Sequence, residues 1–279
     1  MEPLSPIYTA ELFPPLHGEL VALLRGLDPD SWLAPTIAGW WRVRDVAAHL
    51  LDGDLRKLSG GRDSHRLVSR PLTSFDDIVD FLNDINASGV EYATRLSPRV
   101  LTDVLEITGG WVSDFVASLD PHAPSHIPVS WAREDRSENW MDTGREYTER
   151  WHHQMQIRAA VGAEPLLQRR WFHAVLDLSV RAFPRAYEGV DARTGTVIAF
   201  EVEAEAEGDN VWSIVRDGSG WTVKRGAPAD PAARVRIGAD GAWKLLFNAL
   251  APDAARAQVT TEGDWRLVQP LLQARAVMV

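Results

Sequence analysis

The chain has 279 residues, 45% of them hydrophobic and 24% charged, and its formal net charge at pH 7 is −10. These values are typical of a globular protein of about two domains, and the negative charge argues against nucleic acid as a partner. There is no cysteine. The chain therefore has no disulfide, thiolate metal ligand or cysteine nucleophile, and any thiol in its chemistry must come from a small molecule.

The N-terminus does not have a basic region followed by a long apolar core, so no secretory signal is readable. No stretch approaches ~18 uninterrupted apolar residues, which a membrane-spanning helix would need. We therefore expect a cytoplasmic protein that does not contact a membrane.

The first part of the chain predicts helices. Apolar residues recur every three or four positions in five segments, which are residues 8–27, 43–58, 74–96, 98–119 and 142–161. Glycine and proline end several of them, as Gly60-Gly61 and Gly162 do. We expect residues 1–165 to form a helical domain, with no strand in the first 160 residues.

The pattern changes after Gln168. A helix is predicted at residues 171–186, and hydrophobicity then alternates in runs that indicate strands, at residues 197–202, 211–215, 221–224 and 234–237. Asp217-Gly218 marks a hairpin, and two further helices are predicted at residues 239–249 and 264–272. We therefore predict an α+β protein whose second domain covers residues 168–279.

One pair of residues in the helix at 142–161 has the spacing of metal ligands. Glu149 and His153 are four positions apart, so their side chains lie on one face of the helix, one turn from each other. A metal needs a further ligand from another helix, as in metal-binding bundles, and His49 is the best candidate. The pattern alone leaves open a solvated Glu–His pair and a core histidine.

Three further residues are candidates for proton transfer. His152 points about 100° away from His153, and Asp52 lies about one turn after His49. Glu146 precedes His153 by seven residues and is the main rival of Glu149 as a ligand. A structural role is the alternative for each of them.

Two arginines on the same helix are candidates for binding a cosubstrate. Arg145 and Arg158 can meet a carboxylate if they face the site. Arg158 equally suits the end of the helix, where a positive charge interacts favourably with the helix dipole.

Two separated segments resemble a known family. Residues 39–50, GWWRVRDVAAHL, resemble the first signature of the DinB-like metal-binding bundles, in which a tryptophan precedes a helix with a ligand histidine. Residues 149–162, ERWHHQMQIRAAVG, resemble the second signature in the form found in the mycothiol-dependent maleylpyruvate isomerase family. The resemblance implies an N-terminal up-down four-helix bundle that holds a divalent metal, usually zinc, through His49, Glu149 and His153.

The rest of the chain resembles the smaller α/β domain, of sterol-carrier style, that accompanies these bundles. The resemblance implies a metal-dependent transferase or isomerase that uses mycothiol or a similar small thiol and acts on a small electrophile. A monomer or a homodimer is expected. Two alternatives stay open, a non-catalytic binding or scaffold protein that keeps the bundle, and a zinc-dependent hydrolase.

Overall fold

A computed structural model of the chain describes residues 1–65, 73–203 and 210–277. These residues form two compact units. The helical unit comprises Tyr8–His126 and Glu146–Leu166, and the sheet unit comprises Met1–Ile7, Ile127–Arg145 and the described chain from Leu167 onward.

The helical unit is built on amphipathic helices, as the periodicity predicts. Its helices are α1 (Phe13–Arg25), α2 (Val43–Arg56), α3 (Phe75–Ala93), α4 (Pro98–Ser118) and the part of α5 (Asn139–Val161) that follows Arg145. The start of α3 is a capping box, in which the Ser74 hydroxyl accepts from the backbone N–H of Asp77 and the Asp77 carboxylate accepts from the N–H of Ser74. A π-helical turn, Lys57–Arg62, follows α2.

The core of the helical unit lies where α1, α2, α4 and α5 meet. Leu24, Val46, Leu105 and Ile157 are each at most 2% exposed and belong to one apolar cluster. Helices α1 and α2 both pack against α4, and α2 also packs against α3. The position of His49 in α2 therefore follows from the apolar face of that helix, which points inward at Val46 and Leu50.

The sheet unit contains one mixed sheet. Its strands are β1 (Glu2–Pro3), β2 (Val197–Glu203), β3 (Val211–Arg216), β4 (Trp221–Arg225), β5 (Ala233–Gly238) and β6 (Val259–Gly263), in the order β1-β4-β3-β2-β5-β6. Strands β2 and β5 pair in parallel, and the other neighbours are antiparallel. The helices of this unit are α6 (Arg169–Ser179), α7 (Phe183–Ala186), α8 (Ala239–Leu246), α9 (Pro252–Ala257) and α10 (Trp265–Val268), together with the first residues of α5.

Buried aromatic and aliphatic side chains form the core of the sheet unit. Phe200 in β2 packs against Phe183 in α7 and against Trp212 in β3, with ring centroids 5.0 and 6.3 Å apart, respectively. The indole N–H of Trp212 donates to the buried Asp177 of α6 at 2.9 Å. Strand β5 buries every second residue, as its alternating pattern predicts, whereas β2 and β3 are buried on both faces, and the consecutive residues Ile198, Ala199 and Phe200 are each 0% exposed.

The prediction that the first 160 residues contain no strand is wrong. Glu2–Pro3 is the edge strand β1 and pairs with β4, Glu2 opposite Arg225. Two residues are too few to show an alternating pattern, and proline is tolerated at a sheet edge because it need not donate there.

Other differences are local. The predicted helix at 171–186 is two helices, α6 and α7, separated by the 3-10 turn Val180–Ala182. Pro184 lies in the first turn of α7, where a missing N–H costs nothing. Strand β6 was not predicted, and its residues are mostly exposed, so they carry no apolar alternation.

The predicted domains at residues 1–165 and 168–279 are each continuous, and as sequence domains they stay a prediction. The compact units are instead made of separate segments, because residues 1–7 and 127–145 belong to the sheet unit. Within the described residues, no helix is long and apolar enough to cross a membrane.

Candidate functional site

His49 is held in the helical unit between a tryptophan and a second histidine. The centroid of its ring lies 5.0 Å from the Trp41 ring and 4.6 Å from the His153 ring. Its Nδ1 is buried and has no hydrogen-bond partner in the described part of the chain. Burial lowers the pKa of His49 well below its ordinary value, and the nearby charges of His153 and Arg56 act in the same direction. His49 is therefore a neutral imidazole, which is the form that binds a metal.

His153 and Glu149 face each other on α5, as their spacing predicts. His153 Nε2 lies 3.5 Å from Glu149 Oε2. The side chain of His153 is 12% exposed and that of Glu149 is 31% exposed, so the carboxylate lies on the solvent side of the histidine. The structure thus brings all three predicted ligands into one neighbourhood of the helical unit.

His152 is a buried neighbour of this group. Its ring centroid lies 5.2 Å from that of His153. Burial lowers the pKa of His152 well below its ordinary value, with His153 and His49 as further causes. Gln156, which we did not predict as a functional residue, contacts both His152 and His153. The signal that was available is its spacing, one helical turn after the two histidines.

Asp52 lies on the same helix as His49 and accepts a hydrogen bond from Arg56. Its Oδ2 accepts from Arg56 Nε at 2.7 Å, and Asn86 Oδ1 accepts from Arg56 Nη2 at 2.9 Å. Burial raises the pKa of Asp52, although Arg56 opposes this. Asp52 therefore positions the positive charge that helps to keep His49 neutral, and its role in proton transfer stays a prediction.

Glu146 is oriented toward an arginine. Its Oε1 lies 3.5 Å from Arg150 Nη2, and Arg150 also donates to the fully buried Asp54 at 2.5 Å. Burial opposes the charge of Arg150, but the carboxylates of Asp54 and Glu146 outweigh it and raise the pKa of Arg150. These contacts favour Glu149 over Glu146 as the partner of His153.

The two predicted cosubstrate arginines already have partners. Arg158 donates to Glu19 Oε2 at 2.9 Å and to the carbonyl of Glu164 at 2.8 Å. Arg145 belongs to the sheet unit and donates to Asp142 Oδ1 at 2.9 Å. Binding of a cosubstrate by either arginine stays a prediction.

The residues present suit a divalent metal in their chemistry. Two imidazoles and a carboxylate form a donor set that zinc accepts, and Nδ1 of His49 is a buried ring nitrogen without a hydrogen-bond partner in the described part of the chain. Over the described residues, however, no three histidine, aspartate or glutamate side chains already converge as a ligand set. Metal binding would therefore require a rearrangement of side chains, for which Glu149, the most exposed of the three, is the least constrained.

Comparison with known proteins connects this arrangement to a family. The family model described as the mycothiol maleylpyruvate isomerase N-terminal domain matches residues 13–158. No curated protein matches the sequence.

Two crystal structures are similar in fold to most of the chain. One is the mycothiol-dependent maleylpyruvate isomerase, with a TM-score of 0.54, and the other is a histidine-to-alanine mutant of that enzyme, with a TM-score of 0.53. Each is 12% identical in sequence, and 91% of both chains is covered in each case. At this identity the likeness establishes the shared mixed helix-and-sheet fold.

Proposed function

The chain belongs to the mycothiol maleylpyruvate isomerase N-terminal domain family, and from this premise we propose that it is a thiol-dependent isomerase or transferase acting on a small electrophile. Mycothiol or a similar small thiol is the proposed cosubstrate. The absence of cysteine from the chain agrees with a reaction in which the thiol comes from outside.

We further propose that His49, Glu149 and His153 hold one divalent metal, most simply zinc. The observation that supports this proposal is the pair of close contacts of His153, whose ring lies 4.6 Å from that of His49 and whose Nε2 lies 3.5 Å from Glu149. When bound, such a metal would stabilise the thiolate form of the cosubstrate at neutral pH.

The side chains of the helical unit have separate tasks in this proposal. His49 and His153 supply imidazole nitrogens, and Trp41 packs on one side of the His49 ring. Glu149 supplies negative charge on the exposed side. An alkene in the cis form that gains the thiol across its double bond acquires a rotatable single bond, and loss of the same thiol then gives the trans isomer.

The finer description of the fold is also a proposal. We propose that the helical unit is an up-down four-helix bundle of the DinB-like type, supported by the packing of α1 and α2 against α4. A sterol-carrier style for the sheet unit, a cytoplasmic location, and a monomer or homodimer are proposed on the family resemblance.

Metal content tests the ligands. Zinc-loaded wild-type protein should contain about one zinc per chain after desalting, measured by elemental analysis. His153→Ala should lose most of it, because a site of two remaining ligands binds weakly. The exposed His126 of the same unit provides the control, and His126→Ala should retain the metal. Full zinc in His153→Ala contradicts the assignment.

X-ray absorption at the zinc edge tests the role of the thiol. A sulfur scatterer at about 2.3 Å should appear only when the small thiol is added to the zinc-loaded protein. If the zinc neighbours stay nitrogen and oxygen at saturating thiol, thiolate stabilisation is wrong. Turnover of ester or amide substrates under the same conditions would then identify a hydrolase, and inactivity with co-purified lipid would identify a binding protein.

A further inference from the structure

Gln156 is a buried side chain that connects two histidines of the site. It is 6% exposed and lies one helical turn after His152 and His153 on α5. Its Oε1 lies 2.9 Å from Nδ1 of His153, and its Nε2 lies 2.9 Å from Nε2 of His152. One amide group therefore contacts one ring nitrogen of each histidine.

The chemistry of an amide determines the protonation of both rings. An amide oxygen only accepts and an amide nitrogen only donates. His153 must therefore donate its Nδ1–H to Gln156 Oε1, and His152 Nε2 must accept from Gln156 Nε2. A neutral His153 in this tautomer has its lone pair on Nε2, and a neutral His152 has its proton on Nδ1.

This tautomer exposes a lone pair where the proposed metal would bind. His153 Nε2 is the nitrogen that lies 3.5 Å from Glu149 Oε2. In the neutral tautomer both of these atoms are acceptors, so they cannot form a hydrogen bond with each other. A cation between them would interact favourably with both. The opposite tautomer would place a proton on Nε2 and leave Gln156 Oε1 buried without a donor.

We propose that Gln156 is a positioning residue that keeps Nε2 of His153 free as its metal-binding nitrogen, a role that rests on the metal site of the proposed function. The buried His152 completes the arrangement, because its Nε2 binds the amide N–H and so holds the carbonyl end of Gln156 toward His153. Outer partners that fix the ring of a ligand histidine commonly change metal affinity by 10–100-fold.

Substitutions of Gln156 separate this role from simple packing. Gln156→Glu keeps an acceptor for His153 Nδ1–H but removes the donor to His152. Gln156→Met keeps a similar volume and removes both hydrogen bonds. Gln154→Met is the matched control, because Gln154 is buried on the same helix and its amide atoms have no hydrogen-bond partner in the described part of the chain.

The experiment is nitrogen-15 NMR of the histidine rings in metal-free protein at pH 8, together with zinc affinity measured by chelator competition. In wild type and Gln154→Met, His153 and His152 should both be Nδ1–H tautomers. In Gln156→Glu, His153 should keep its tautomer, whereas His152 should change to the Nε2–H form and donate to the new carboxylate. In Gln156→Met, His153 should populate both tautomers.

Zinc affinity should fall by about 10–100-fold in Gln156→Met and change by less than about 3-fold in Gln156→Glu. A wild-type His153 protonated on Nε2, or a tautomer that Gln156→Met leaves unchanged, overturns the proposal. If Gln156→Met fails to fold, the wild-type tautomer of His153 and the change of the His152 tautomer in Gln156→Glu together decide it. If the tautomers respond as expected but the wild-type protein binds no zinc, the proposed metal site is wrong. The conclusion that Gln156 determines the tautomer of His153 is then still supported.

Discussion

At the scale of single residues, the interior of the helical unit contains an ion pair between Asp54 and Arg150. Asp54 is fully buried, and it accepts from Arg150 at 2.5 Å and from the hydroxyl of Thr108 at 2.8 Å. Arg150 comes from α5, directly after Glu149. The buried pair therefore holds the helix that carries two of the three proposed ligands.

Replacing Asp54 should lower the free energy of unfolding. In Asp54→Ala, the largely buried Arg150 loses its 2.5 Å contact to a carboxylate and keeps the longer one to Glu146, 3.5 Å away. Since an uncompensated buried charge costs about 3–5 kcal/mol, we expect the free energy of unfolding, measured by urea denaturation at pH 7, to fall by that amount.

The control for this variant is an aspartate whose ion pairs are exposed. Asp103 is 51% exposed and lies 3.6 Å from Arg25 and 3.8 Å from Arg99. Asp103→Ala should cost less than about 1 kcal/mol. Equal losses for the two variants would show that Asp54 is not the counter-charge of a buried arginine.

At the scale of helices, two adjacent glycines in α4 have opposite surroundings. A Cβ added at Gly109 would lie 2.1 Å from Cε1 of His17 in α1, whereas a Cβ at Gly110 would meet no atom within 4 Å. The ring of His17 thus occupies the space that a side chain at Gly109 would need, whereas the space beside Gly110 is open.

Alanine at the two positions should therefore have effects of opposite sign. Gly109→Ala should destabilise the protein by about 1–3 kcal/mol, because the ring of His17 must move from its contact with the carbonyl of Glu106. Gly110→Ala should stabilise it by about 0.5–1 kcal/mol through helix propensity. Thermal unfolding of both variants measures the difference, and a stabilised Gly109→Ala would contradict the close contact of the His17 ring with Gly109.

At the scale of the whole molecule, the sheet unit is assembled from distant parts of the chain. One apolar cluster joins Val129, Trp131 and Met141 to Leu178, Ala182 and Ala276. The first three residues precede strand β2 by more than fifty positions. The domain boundary that the sequence suggests, near residue 165, would cut this cluster.

Excising the C-terminal part at that boundary should leave an incomplete core. A fragment of residues 168–279 lacks Val129, Trp131 and Met141, and loss of even one such side chain costs about 2–5 kcal/mol. We expect this fragment to bind an apolar dye and to unfold without a cooperative transition. A fragment of residues 127–279 keeps all six residues and should unfold cooperatively. A sharp transition in the shorter fragment would contradict the discontinuous unit.

The sequence by itself determined the features that depend on neighbours along the chain. Apolar residues at every third or fourth position predicted the helices of the helical unit, because that spacing creates one face that can be buried. Alternation in residues 197–202 predicted β2. The four-residue spacing of Glu149 and His153 placed them on one face of α5, since a helix has 3.6 residues per turn. The family resemblance also rested on such local motifs.

The tertiary structure alone decided what depends on residues far apart in sequence. It brings His49 to within 4.6 Å of His153, measured between ring centroids, and it turns Glu146 toward Arg150, leaving Glu149 beside His153. It also adds Glu2–Pro3 to the sheet. Periodicity specifies which face of an element is buried, but not which partner buries it. These contacts follow from the packing of helices and strands whose residues no local pattern connects.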